Sequence, residues 1–244
     1  MSISLKRQQV VVLTGSGISA ESGLKTFRNH GGLWDGERVE DVATPEGFAR
    51  NPLRVLDFYN RLRRQLQNVQ PNAAHLALRH LESGYEVKII TQNVDDLHER
   101  AGSSDVLHLH GELLKARSSV DENYIVDCFS DQTMADVDAR GFPMRPHIVW
   151  FGEAVPMIEA AIQLMRTADI VIIIGTSLQV YPAAGLVQYI PPDAEVFLVD
   201  PQPYEGLQNV QFIRASAQAG VSSLVSELLQ RSEALSFSCQ DRVD

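Results

Sequence analysis

Residues 169–176, DIVIIIGT, place five consecutive β-branched residues between an acid and a glycine. A run this short and this apolar predicts a strand buried on both faces, of the kind found inside a parallel sheet. Working outward, similar runs stand at Val10–Thr14, Glu86–Thr91, Val106–His110, His147–Phe151 and Glu195–Asp200, with a weaker one at Val210–Arg214. Between them PNAAHLALRHLESG (71–84), PMIEAAIQLMRTA (156–168) and GVSSLVSELLQRSEAL (220–235) repeat their apolar residues at helical spacing. Strands that alternate with helices predict an α/β fold, a Rossmann-like parallel sheet with helices on both faces.

Two stretches interrupt the pattern. Residues 24–70 are far too long for an ordinary crossover, and residues 115–145 are polar without clear periodicity. Both read as insertions that form a small lobe over the carboxyl ends of the strands, where α/β sheets bind ligands. The large lobe is then residues 8–23, 71–114 and 146–235 of a single domain spanning 1–244, and LSFSCQDRVD (235–244) reads as a tail.

Composition narrows the function. The 244 residues are 44% hydrophobic and 21% charged, an ordinary globular mix with ample core. The net charge of −10 argues against nucleic acid and mildly favours basic ligands such as lysine-rich segments. Two cysteines, Cys128 and Cys239, are too few for a disulfide framework or a four-cysteine zinc site. There is no signal-like start and no run near the roughly 20 apolar residues a membrane helix needs. A soluble protein of a reducing compartment, the cytoplasm, is expected.

The first strand opens VVVLTGSGISAESGLKTFR (10–28), where Gly15 and Gly17 could let backbone amides cradle a pyrophosphate at a helix starting near Ser19–Ser22. Ala20 takes the third glycine position of a dinucleotide turn. No second strand ending in an acid follows about 20 residues later, so ordinary hydride transfer is not expected. IITQNVDDLHERAG (89–102) ends a strand in Gln92 and Asn93, with Asp95 beyond. N-capping accounts for Asn93 or Asp95, but not for the whole cluster. In VLHLHGEL (106–113), alternation puts Val106, His108 and His110 on one face. A neutral imidazole at a strand end suits proton abstraction from a sugar hydroxyl. The H-x-H pair could also ligate a metal with His147, although no fourth ligand is evident. Spacing leaves base and metal ligand both open.

Together, GSGISAESGLKTFR, GGLW, TQNVDDLHERAG, HLHGEL, RPHIVWFGE and GTSLQVYPAAGL, in that order, resemble the sirtuin family of NAD-dependent protein deacylases. RVEDVATPEGF and FYN look like the bacterial members of its desuccinylase and demalonylase branch. The resemblance implies NAD as cofactor and acylated protein lysines as substrates, giving nicotinamide, O-acyl-ADP-ribose and free lysine. It gives NAD to Gly15, Ser16, Gly17, Ala20, Phe27 and Arg28, with Phe27 screening the nicotinamide. Gln92 and Asn93 would position the nicotinamide ribose, Asp95 the carboxamide, and Gly175, Thr176 and Ser177 the adenosine side. His110 becomes the general base, and His108 a sheet residue. Val149, Trp150, Phe151, Gly152 and Glu153 on one side and Leu178 to Val180 on the other would flank a peptide added as an extra strand.

Three positions depart from the family pattern. Ser16 replaces an alanine, and Asp200 stands for a common asparagine and could accept from the adenosine ribose. Only Cys128 remains where the family carries four zinc cysteines, so no zinc is expected. Tyr124, Ile125, Val126, Phe129 and Phe142 are then expected to form a small replacement core. In the desuccinylase branch a tyrosine and an arginine three residues later bind the acyl carboxylate, whereas here Tyr59 is followed by Leu62 at that spacing. Arg63, at i+4, either swings in to bind a succinyl group or stays in solvent. In the second case Leu62 leaves an apolar pocket, and neutral acyl groups are expected ahead of succinyl. An NAD glycohydrolase or ADP-ribosyltransferase, and a non-catalytic NAD or ADP-ribose sensor, are the competing readings. A monomer is expected.

Overall fold

The computed structural model describes residues 7–25, 33–202 and 206–240. Its strands are β1 (Gln9–Thr14), β2 (Leu33–Trp34), β3 (Glu37–Arg38), β4 (Glu86–Thr91), β5 (Val106–His108), β6 (Gly111–Ser118), β7 (Ile125–Asp127), β8 (Met144–Ile148), β9 (Ile170–Ile174), β10 (Glu195–Val199) and β11 (Gln211–Ile213). The helices are α1 (Val39–Val42), α2 (Pro45–Arg50), α3 (Pro52–Gln67), α4 (Ala73–Leu81), α5 (Leu97–Arg100), α6 (Ile158–Met165) and α7 (Ala217–Gln240).

The β-branched runs form a parallel six-stranded sheet in the order β11-β10-β9-β1-β4-β5. All five residues of β9 are buried. Period-two alternation sends Val10, Val12, Ile89 and Ile172 into one core with α4 and α7. Val11, Leu13, Ile90, Val171 and Ile173 enter the other with α6 and a 3₁₀ segment, Ala183–Tyr189. Helices thus cover both faces, as the patterning predicts. From β1 the chain order runs outward through β4 and β5 on one side, and from β9 through β10 and β11 on the other. The order reverses between β1 and β9, and a crevice at the carboxyl ends of those strands is where such sheets take ligands.

Two strand expectations need correction. His147–Phe151 is not a strand of the parallel sheet: the strand is Met144–Ile148, antiparallel to β6 in a three-stranded sheet of order β7-β6-β8. It ends because the Trp150 amide bonds the Glu153 carboxylate at 2.8 Å and Gly152 turns at φ 90°. The strand expected to run to His110 stops at His108. Gly111, at φ 81°, turns the chain there into β6, and a Cβ on it would lie 2.1 Å from the His147 carbonyl oxygen. Only glycine fits.

A third core joins the 34–66 segment to these antiparallel strands. Val42, Val55, Phe58, Tyr59 and Leu66 meet Leu97, Leu113, Ile148 and Trp150. Trp34, Phe58 and Tyr59 pack edge to face, with ring centroids 5.1–5.9 Å apart. The replacement core expected from Tyr124, Ile125, Val126, Phe129 and Phe142 does not form, and all five are exposed. Polar hooks hold the 118–142 segment instead. Asp138 accepts from Ser118 Oγ at 2.7 Å and from the amides of Arg140 and Phe142. Asn60 on α3 donates to the Gln132 carbonyl and accepts from its amide. The segment is too short to bury aromatic rings against itself, so hydrogen bonds to α3 and β6 take over.

Candidate active site

The turns after β1 and β9 interlock. The Gly15 amide donates to the Ile174 carbonyl at 3.0 Å and the Gly17 amide to the Gly175 carbonyl at 2.9 Å. A Cβ on Gly17 would sit 2.5 Å from Gly175 Cα, and one on Gly175, at φ 58°, 2.6 Å from the Gly17 backbone. The helix expected to start near Ser19–Ser22 is only a 3₁₀ turn, Ala20–Ser22. The Ile18 and Ser19 amides fold back onto Gly15 and Ser16. The loop is therefore a close backbone approach rather than the mouth of a long helix.

A cavity of about 610 Å³ opens over this interlock, within the range of small-molecule sites. It brings together Gly15, Ser16, Gly17, Ala20, Gln92, Asn93, Asp95, His110, Gly175, Thr176, Ser177 and Asp200, gathered from five chain segments. Leu62, Val149, Trp150, Phe151, Gly152, Glu153 and Val180 line it too. Phe27 and Arg28 lie outside the described residues, although Lys25 and Trp34 on either side of them reach the wall. Tyr59, Arg63 and Leu178 are not among the lining residues.

Tyr59 is fully buried, and its hydroxyl accepts from Trp150 Nε1 at 2.9 Å. Burial raises its pKa further, so it stays a neutral phenol. Arg63 neither swings in nor stays in solvent, which corrects both outcomes expected for it. It is 1% exposed, with Nε on the Leu113 carbonyl and Nη1 on Asn60 Oδ1 and the Ser130 carbonyl. Glu153 is also committed inward. Arg145, Arg117 and the Trp150 amide hold its carboxylate, and the Arg145 guanidinium lies 3.3 Å from the Trp150 ring centroid. It braces the turn from inside the protein.

The polar cluster is wired residue by residue. Asn93 Nδ2 donates to the Gly15 carbonyl at 3.1 Å and to Ser19 Oγ at 3.3 Å. Ser19 in turn donates to Asp95 Oδ2 at 2.9 Å, while Asp95 Oδ1 accepts from the Leu97 amide. Of the two capping candidates, Asp95 makes the helix contact and Asn93 braces the glycine turn. Burial pushes the Asp95 carboxyl up to about 6, opposed by those hydrogen bonds. Gln92 Nε2 reaches Thr176 Oγ1 at 3.0 Å and joins the two turns. Sequence reading passed over Ser19, because a serine in a glycine turn looks like a spacer until Asp95 is seen behind it.

His110 Nδ1 stands 3.0 Å from the Gln92 carbonyl oxygen, an acceptor only. The proton is therefore on Nδ1, and Nε2 keeps its lone pair with no bond from a described residue. Burial lowers the ring's pKa, so it is neutral at pH 7 and able to take a proton. His108 is more than a sheet residue. Its two nitrogens face the Asn93 carbonyl and Glu99. Among the described residues, no group of three or more His, Cys, Asp or Glu could hold a metal ion.

An α/β sheet with interlocked glycine turns at its switch point, and a buried acid and a tautomer-fixed histidine in the same cavity, has the arrangement of a nucleotide-dependent transfer enzyme. The comparisons give the family. A model of the Sir2 family matches residues 15–182, and the chain belongs to that family, the sirtuins. An NAD-dependent protein deacylase from Aggregatibacter actinomycetemcomitans is 60% identical over 200 residues, 82% of this chain and 96% of that protein. The crystal structure of a Sir2 homolog–NAD complex overlays with a TM-score of 0.84 at 36% identity, covering 93% and 91% of the two chains. A Sir2 mutant bound to a p53 peptide and NAD overlays at 0.75 and 28% identity, covering 91% and 93%.

Proposed function

We propose that the chain is an NAD-dependent protein-lysine deacylase with His110 as its general base. The observation that carries this is the His110 ring, neutral, fixed through Nδ1 and open at Nε2 in a cavity shared with Asn93 and Asp95. The interlocked turns support NAD, since they bring the Gly15–Gly17 and Gly175–Ser177 main chains together in the wall of one cavity at the carboxyl ends of β1 and β9. Bound NAD supplies the glycosidic bond whose cleavage drives acyl transfer to ADP-ribose. Gly15, Ser16, Gly17 and Ala20 would meet its phosphates, Gly175, Thr176, Ser177 and Asp200 the adenosine side, and Gln92, Asn93 and Asp95 the nicotinamide side. Phe27 and Arg28 are assigned here only through the family resemblance. His110 Nε2 takes a hydroxyl proton while the walls exclude water.

The segments 149–153 and 178–180 would flank an acyl-lysine peptide. The division into a large lobe (8–23, 71–114, 146–235) and a small lobe (24–70, 115–145) is part of the same proposal. A monomer in the cytoplasm is part of the same proposal; no described helix is long and apolar enough to cross a membrane. Nicotinamide release should require an acyl-lysine peptide. Release without peptide would favour the glycohydrolase reading, and binding without release the sensor.

Leu62 at the wall, with Arg63 turned away, supports a neutral acyl pocket. Catalytic efficiency should rank acetyl- or butyryl-lysine above succinyl-lysine on one peptide. Leu62→Arg should raise succinyl efficiency at least about 10-fold, the worth of one charge-assisted contact. Wild type that prefers succinyl-lysine would refute this ordering.

A further inference from the structure

The deacylase reading uses His110 and leaves His108 without a task. His108 closes the parallel ladder: it is the β5 residue paired with Thr91, the last residue of β4, and the Gln92–Asp95 segment begins just beyond. Its side chain is 9% exposed. Nδ1 lies 3.0 Å from the Asn93 carbonyl oxygen, and Nε2 lies 2.7 Å from Glu99 Oε1. A carbonyl only accepts, and so does an ionised carboxylate. A ring with one proton can satisfy one of these contacts, and only an imidazolium satisfies both.

We propose that His108, held as an imidazolium by Glu99, is a positioning residue that clamps the main chain at Asn93 and so fixes the NAD-contacting segment. This rests on the deacylase reading above. The clamp completes a set of restraints on one residue. The Asn93 amide is tied to Thr91 Oγ1 at 3.1 Å, and its side chain to Gly15 and Ser19. Its carbonyl has His108. Removing that contact leaves the Asn93 carbonyl without a hydrogen-bond partner among the described residues, between an amide held by Thr91 and a Val94 carbonyl held by the Leu113 amide at 2.8 Å.

The charged neighbours agree with the geometry. Burial opposes a charge on His108, but the Glu99 hydrogen bond and charge, the Asn93 carbonyl and Glu112 of β6 outweigh it and raise its pKa. Glu99 is itself held low against burial by His108 and by Lys115. His98 of α5, behind the segment, stays neutral because burial depresses its pKa strongly. A charge on His108 also works against the burial that raises the Asp95 pKa. The sign follows. The clamp is present below the raised His108 pKa and is lost as pH rises through it, so NAD affinity should weaken on the alkaline side.

The test uses the whole chain. The ¹⁵N shifts of the His108 ring, read in wild type at pH 6, should show both nitrogens protonated. His108→Leu should weaken NAD binding, measured calorimetrically without peptide, by about 10-fold or more. It should raise KM for NAD more than it lowers kcat, and should abolish the alkaline weakening. His108→Gln keeps one N–H and should recover part of the affinity without the pH limb. Glu99→Gln should move that limb to lower pH. A neutral His108 ring in a wild type that binds and turns over NAD overturns the clamp alone. So does a His108→Leu protein whose NAD affinity and pH profile match wild type. A wild type that binds no NAD overturns the clamp and the deacylase reading together.

Discussion

Replacing His110 with alanine will lower deacylation by about 10²–10⁴-fold, the usual cost of losing a general base, while NAD affinity stays within a few-fold. The asymmetry follows from the wiring. Among the described residues the His110 ring hydrogen-bonds only the Gln92 carbonyl, whereas Gln92 is independently fixed by its amide on the Thr14 carbonyl at 2.9 Å and its side chain on Thr176. Taking away the ring leaves that frame standing and removes the lone pair at Nε2. The pH profile adds a check with a sign. Burial lowers the His110 pKa, so the base is already neutral through the neutral range. Wild-type kcat should stay level there and fall only below the ordinary histidine value. The measurements are kcat at saturating NAD and peptide, and a calorimetric NAD titration of the variant. Near-normal turnover in His110→Ala would take this residue out of the mechanism.

What could be read in advance divides along physical lines. Buried parallel strands announce themselves locally, because both faces demand apolar residues. Glu86–Thr91 coincides with its strand, and DIVIIIGT with the fully buried Ile170–Ile174. The polar residues that follow those strands were legible for the same reason, since a carboxylate or amide directly after an apolar run needs an explanation. The antiparallel strand Met144–Ile148 was misplaced because its pairing partner, β6, is about 30 residues away and its turn depends on Glu153 reaching back to Trp150. No short window of sequence contains the pairing with β6. The 118–142 segment failed for a related reason. Its aromatic residues suggested a core, yet Phe129 is 60% exposed and the hooks at Asn60, Ser118 and Asp138 do the holding. His108 is the finest case: alternation put it on the correct face, but its charge state follows only from which two acceptors the fold brings to its nitrogens.

Arg63 carries the other large expected effect, on stability rather than rate. Its side chain leaves α3 and links three elements: Leu113 in β6 through Nε at 3.1 Å, Asn60 one turn back at 2.7 Å and Ser130 at 3.3 Å. Asn60 spends its remaining bonds on both backbone groups of Gln132, so Arg63 also orients the hook that holds the 118–142 segment. Burial works against the guanidinium charge, which Asp131 only partly favours, and Nη2 has no partner among the described residues. A buried arginine is therefore no free gain. Its removal is nonetheless costly, because the buried Leu113 carbonyl is left unpaired at about 1–3 kcal/mol, Asn60 loses the contact that orients it, and the packed stem is lost. Arg63→Ala should cost about 3 kcal/mol, which for a chain of this size lowers Tm by roughly 6–12 °C. Arg63→Lys, able to reach one acceptor, should fall between. A double-mutant cycle with Asn60→Ala should show coupling on the order of 1 kcal/mol, since the two side chains share a bond. Because Arg63 does not line the cavity, the ratio of succinyl to acetyl efficiency should be the same in Arg63→Ala as in wild type. An Arg63→Ala protein as stable as wild type would show that the buried contacts contribute nothing net. A 10-fold fall in its succinyl preference would return Arg63 to the acyl pocket, and a residue anchored to Leu113, Asn60 and Ser130 would have to break all three contacts to get there.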